Sequence, residues 1–223
     1  EIGVRLVGSE MCIRDRLNID LIKMGAMAEE AIDNSIKAFK NKDNALARNV
    51  IENDRKIDDI EKSIEARCLS LLLRQQPVAT DLRAISTALK MITDMERIGD
   101  GAADIAELVI RIGGTEIFNM VEAIPQMAAI ACQMVRDSIT SFVQSDLELA
   151  QEVMKRDDLV DELFNQVKHE LADLLAKSHE HIDWAIDFLM IAKYLERIGD
   201  HAVNIGEWVE FYRTGEHKHH KII

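Results

Sequence analysis

The sequence is short of everything that interrupts a helix. It has two prolines and ten glycines in 223 residues. Few positions therefore lose a backbone donor or the helical backbone preference, and long helices are allowed almost throughout. Three cysteines, Cys12, Cys68 and Cys132, are odd in number, widely spaced and without a Cys-x-x-Cys pair. That excludes a disulfide framework and fits a reducing, cytoplasmic setting. No uncharged run, even around Ala123–Val135, approaches the roughly 20 residues of a membrane span, so the sequence predicts a soluble chain. No run alternates apolar and polar in the manner of a strand. Positive charge is also scarce, with 27 Lys and Arg against 40 Asp and Glu, for a net charge of −13. A phosphate-backbone binder would need the opposite balance, so nucleic acid is excluded as a partner and hard cations or basic protein surfaces are favoured.

What the chain does contain is a duplication. Glu96-Arg97-Ile98-Gly99-Asp100 returns letter for letter as Glu196-Arg197-Ile198-Gly199-Asp200. At the same shift of 100, Leu89, Ala102, Ile105, Glu107 and Val109 recur as Leu189, Ala202, Ile205, Glu207 and Val209, with Asp104 replaced by Asn204. Upstream, Asp43, Ala47, Val50, Asp54, Ile57 and Asp58 match Asp146, Ala150, Val153, Asp157, Val160 and Asp161 at a shift of 103. Self-similarity of this length defines the architecture. The expected fold is all-α, a tandem repeat of two antiparallel three-helix bundles with six long helices in all.

Apolar positions at helical spacing place helix one from Leu17 to about Lys40, helix two from Ala45 to about Arg74 and helix three from Pro77 to about Ile112. Helix four is expected from about Glu116 to Gln144 with Pro125 near its first turn, helix five to about Lys177 after a Ser145-Asp146 cap, and helix six to about Arg213. Ser178 is the expected cap of helix six, with Glu180 in its first turn. Residues 17–112 and 116–213 are then the two repeats, separated by Gly113-Gly114-Thr115. Residues 1–16 fit neither copy and read as a foreign-looking or disordered segment, taking Cys12 with them. Residues 214–223 read as a flexible histidine-bearing tail. Met120, Met127 and Met134, seven apart, read as packed core rather than a soft-metal ladder.

The duplicated turn carries an acidic face. In helix three a stripe that begins as Leu82, Ile85, Leu89 and Ile92 turns into Glu96, Asp100, Asp104 and Glu107, residues three and four apart that stack on one side. Helices joined by a short turn pack antiparallel, which puts Asp54 level with Asp100 and Asp58 level with Glu96. In the second copy it puts Asp157 level with Asp200 and Asp161 level with Glu196. Four carboxylates at one height repel by a few kcal/mol at an effective dielectric of about 20 unless protons or a cation intervene. Oxygen-only ligands suit a hard cation, and the lack of histidine at the shared positions disfavours structural zinc. The plain alternative is a pair of solvated acidic faces. Gly99 and Gly199 weigh against it, because glycine inside a helix costs about 1 kcal/mol and marks close approach of a backbone or ligand. Arg97 and Arg197 read as neighbouring-turn ion pairs, and His201 as a boundary residue.

At these residues the chain resembles the PhoU family of phosphate-signalling accessory proteins. The resemblance spans about Leu17 to His219. It rests on Arg74-Gln75-Gln76-Pro77-Val78-Ala79-Thr80-Asp81-Leu82-Arg83, the two Glu-Arg-Ile-Gly-Asp turns and the paired aspartates of helices two and five. It implies a tandem of three-helix bundles and a cytoplasmic regulator that represses the phosphate-starvation response. The implied partners are the ATPase subunit of the phosphate ABC transporter and a membrane sensor histidine kinase. It also implies iron or zinc clusters, or another hard cation, at Glu96, Asp100 and Asp104 and at Glu196, Asp200 and Asn204. Asn204 has one charge fewer, so weaker metal binding is expected at the second site. A homodimer is left open.

Neither a phosphate-cradling glycine loop nor a nucleophile with a histidine partner is present, which favours a non-enzymatic adaptor. The rival from another class is a ferritin-like carboxylate-bridged metal oxidase. Its Glu-x-x-His pattern occurs only at Glu216 to His219, in the tail.

Overall fold

The computed structural model describes residues 2–75, 79–113, 121–177, 182–217 and 220–221. Six α-helices account for nearly all of them: α1 (Ile2–Asn41), α2 (Asn44–Gln75), α3 (Ala79–Ile112), α4 (Ala123–Gln144), α5 (Leu147–Lys177) and α6 (Ile182–Thr214). None of these helices is long and apolar enough to cross a membrane. Two two-residue strands, β1 (Glu216–His217) and β2 (His220–Lys221), pair antiparallel after α6.

The duplication is reproduced in backbone detail. Lys42 and Ser145 both turn left-handed, at φ 56° and 55°. The residue after each then caps the next helix. Asp43 Oδ1 accepts from the amides of Ala45 and Leu46 at 3.0 and 2.9 Å, and Asp146 Oδ1 accepts from that of Leu149 at 3.1 Å. These side chains satisfy amides that have no partner inside the helix, which is why both helices start where they do. Buried Ser35 and Ser138, again 103 apart, each donate to the carbonyl three residues earlier at 2.8 Å.

The two bundles share one core, because α3 packs along α6 and α1 along α4. Thr87, Asp94 and Arg111 of α3 meet Trp208, His201 and Asp187 of α6. The α6 partner's number falls as the α3 number rises, so these helices run antiparallel and bundle two is inverted against bundle one. Phe39 and Phe188 meet edge to face at 5.5 Å in the common interior, alongside fully buried Met91, Met95, Ile98 and Ile198.

Three boundaries depart from the sequence expectation. Helix one starts at Ile2, not Leu17, so the segment 1–16 that looks foreign is helical backbone from its second residue. It contains no proline, and helix needs no repeat match to propagate once α1 is nucleated downstream. Helix four starts at Ala123. Pro125 thereby falls inside its first turn, where a missing amide costs nothing, while Val121 and Glu122 precede the helix. The tail expected to be flexible forms the small hairpin. Gly215, at φ 80°, ends α6 by donating to the Phe211 carbonyl and turns the chain into it. Pro77, Gly114 to Met120, Ser178 and Glu180 lie outside the described residues, as does the side chain of Cys12. Met127 and Met134 are fully buried core, as expected.

Candidate functional site

Each bundle carries one acidic cleft where its second and third helices face each other. In bundle one, Asp54 and Asp58 of α2 stand within coulombic range of Glu96, Asp100 and Asp104 of α3. Burial raises the Asp54 pKa to about 6, and Asp100, Asp58 and Asp104 push it in the same direction. Glu96 is raised by burial and then by Asp100, with smaller contributions from Glu61 and Asp58. In bundle two, burial again raises Asp157 to about 6, assisted by Asp200, Asp161, Asp158 and Glu196. Asp200 is raised by burial, Glu196 and Asp161. Desolvation and like charge both disfavour the ionised form, so one carboxylate per cleft holds its proton to nearly neutral pH. The level pairings expected from the two turns are found for Asp54 with Asp100, Asp58 with Glu96 and Asp157 with Asp200.

The glycines explain how the clefts close. A Cβ on Gly99 would sit 3.2 Å from Asp54 Oδ1 and 2.8 Å from Ile57 Cδ1, and one on Gly199 would sit 3.5 Å from Asp157 Oδ1. The bare helix backbone leaves room for an aspartate from the facing helix. Asp157 Oδ1 is buried and has no hydrogen-bond partner. An orphaned carboxylate oxygen against a backbone with no side chain is the feature a hard cation would complete, and the acidic donors around it are all oxygen.

Arginine and lysine hold part of the remaining charge. Arg97 bonds Asp100 at 2.9 Å and Glu96 at 3.3 Å, the neighbouring-turn pairing expected of it, and Lys193 pairs with Glu196. Among the described residues, no three Asp, Glu, His or Cys side chains converge as a closed ligand set. A cation at these carboxylates would compete with Arg97 and Lys193 for them.

One candidate ligand points elsewhere. Asn204 donates from Nδ2 to Asp94 Oδ1 of α3 at 3.2 Å, and His201 Nδ1 lies 2.8 Å from the same oxygen. Asn204 is thus part of the contact between the bundles, where an amide facing a carboxylate gains a charge-assisted bond. By the pseudo-symmetry Asp104 also reaches across, accepting from the Tyr194 hydroxyl and facing Arg197. Unlike Asn204, it still contributes to the field at Asp54. Arg97, Asp100, Asp104, Tyr194 and Arg197 line a small cleft of about 120 Å³ at this junction. Arg197 therefore crosses to the other bundle instead of pairing within its own turn.

Glu61 is the residue that the repeat did not reveal. Burial, Glu65 and Asp58 raise its pKa, and it acts on Glu96. Its counterpart at a shift of 103 is Phe164, whose ring lies under Lys168 and Lys193. At this position the first cleft is the more acidic, while at Asp158 the second has a carboxylate where the first has Arg55.

Comparison with known proteins bears on both halves. The PhoU domain model matches residues 21–109 and again 124–209. The chain is 38% identical over 203 residues to the "phosphate-specific transport system accessory protein PhoU homolog" of Clostridium acetobutylicum, covering 91% of this chain and 93% of that protein. It is 32% identical over 201 residues to PhoU homolog 1 of Thermotoga maritima, covering 90% and 87%. The crystal structure of PhoU from Pseudomonas aeruginosa superposes with a TM-score of 0.84 at 28% identity, covering 92% of this chain and 99% of that one. The phosphate transport system regulatory protein PhoU from Streptococcus pneumoniae gives 0.84 at 27% identity, covering 91% and 96%.

Proposed function

The chain belongs to the PhoU family, and from that premise we propose that it is a cytoplasmic, non-enzymatic regulator of phosphate uptake and phosphate-starvation signalling. Its relatives are named as accessory proteins of phosphate-specific transport systems, and both repeats match over most of their length. In this reading it links the ATPase subunit of the phosphate ABC transporter to a sensor histidine kinase and represses the starvation response when phosphate is plentiful. Retention of the transporter ATPase on immobilised protein in high phosphate, and its release in low phosphate, is the expected result. Equal retention in both would count against the linking role.

Each cleft in this reading holds iron, zinc or another hard cation. The single observation that supports it best is the buried, partnerless Asp157 Oδ1 lying against the Gly199 backbone. Asp54, Asp58, Glu96, Asp100 and Asp104 would hold the first ion, and Asp157, Asp161, Glu196 and Asp200 the second. A bound cation would supply the positive charge that lets all of these carboxylates ionise together. With Asn204 turned to Asp94 and Lys193 on Glu196, the second centre has the lower charge and binds more weakly. Metal titration of Asp100→Ala and Asp200→Ala variants separates the centres. The tighter site should disappear with Asp100→Ala, and its survival there would reverse the assignment.

A further inference from the structure

The two clefts have the same carboxylates in front and different walls behind. In bundle one a groove of about 300 Å³ lies between α1 and α2, lined among others by Ala31, Asn34, Asn53, Asp54 and Ile57. Asp54 belongs to the groove on one side and, through the Gly99 backbone, to the acidic cleft on the other. At a shift of 103 these five residues become Met134, Asp137, Arg156, Asp157 and Val160. The matching of α1 with α4 and α2 with α5 at that shift is fixed by the equivalent serine bonds and the equivalent left-handed turns.

Three of the four substitutions in that set close the wall, the change from Ile57 to the smaller Val160 being the exception. Ala31 is replaced by Met134, which is fully buried and extends its Cε to 3.8 Å from the Cβ position of Gly199. The Asn34 and Asn53 amides are replaced by Asp137 and Arg156, which form an ion pair from α4 to α5. Behind this plug the Asp157 Oδ1 is cut off from solvent. On the outer side the two clefts are alike, with Asp100 partly exposed and Asp200 exposed.

We propose that the groove behind Asp54 is a ligand channel to the first acidic centre that the second centre lacks. The inference rests on reading the clefts as cation sites. A cation held by Asp54 would then exchange by way of the groove as well as by the outer side. Glu30 and Lys56 also line the groove with opposite charges, and between them the amides of Asn34, Asn49 and Asn53, the last donating to Asn49 Oδ1 at 2.7 Å, leave further donors for an anion and acceptors for an ion's water shell. In bundle two Met134 and the Asp137–Arg156 pair stand in the corresponding place, which would leave a cation held by Asp157 to exchange by the outer side.

The test uses the full chain loaded with Mn²⁺ and follows its extraction by EDTA. Two phases are expected, the faster by about tenfold, with the fast one lost in Asp100→Ala and the slow one lost in Asp200→Ala. Installing the second bundle's plug through A31M, N34D and N53R should slow the fast phase to the rate of the other while leaving the bound manganese unchanged. Arg156→Asn, a partly exposed change that leaves the core intact, should accelerate the slow phase. A single rate for both centres, or a fast phase that the plug does not move, overturns the channel. Failure to take up manganese at either centre would instead overturn the cation reading, and the channel with it.

Discussion

Asp54 and Asp157 each sit half-buried among other carboxylates, and the consequence can be read from pH. Their folded pKa of about 6 lies above the ordinary aspartate value of 3.8. The native state therefore holds protons that the unfolded chain has already released, and stability falls as pH rises between about 4 and about 6. Above that window the penalty is complete. At face value two pKa units correspond to about 2.7 kcal/mol, and with both groups still partly in water about 1 kcal/mol each is expected. In metal-free protein at pH 7, Asp54→Asn and Asp157→Asn should each raise the urea midpoint, and the gain should vanish at pH 4. A loss of stability at pH 7 would mean that the carboxylates are not strained by one another. The same protons compete with a cation, so metal affinity should climb with pH through about 6.

At the scale of the element, the helices are set by their starts and stops. Asp43 receives two amides at the head of α2, and Asp146 receives one at the head of α5. Asp43→Ala should lower stability by about 1 kcal/mol and Asp146→Ala by less, measured by chemical denaturation. The Asp146 cap, the six helices and the level pairing of Asp54 with Asp100 and Asp157 with Asp200 were legible in the sequence, because each follows from periodicity along one helix or from a turn between two neighbours, whereas Asp43 was read only as part of a polar turn. Contacts between the bundles were not. Asn204 aligns with Asp104 and looks like a ligand, but what it meets is set by α3 of the other half, at Asp94. Glu61 escaped because the repeat holds Phe164 there, so comparing the copies erased it. The helix starts at Ile2 and Ala123 were missed for a simpler reason, since apolar spacing marks the face of a helix more sharply than its end.

For the whole molecule the question is whether two similar halves behave as one. Buried side chains run without a break from bundle one into bundle two, through Phe39 on Phe188 and through Ile198, which lies against Gly101. A shared core of this kind predicts a single unfolding transition despite the duplication. The polar contact across it that is most exposed to test is Arg111 of α3 with Asp187 of α6. The Nε donates to Oδ2 at 3.2 Å, and a second guanidinium nitrogen meets Oδ1. Asp187 is 7% exposed while the Arg111 side chain is mostly in water. Removing the arginine would thus strand a buried carboxylate, for about 1–3 kcal/mol. Arg136 with Glu29 is the natural contrast, also crossing between the halves but with its acceptor less buried, and Arg136→Ala should cost under about 1 kcal/mol. Arg111→Ala should lower the urea midpoint by the larger amount while circular dichroism and tryptophan fluorescence still unfold together, Trp184 and Trp208 both lying in α6. Two separated transitions in that variant would show that the halves hold together chiefly through this pair and not through the apolar seam.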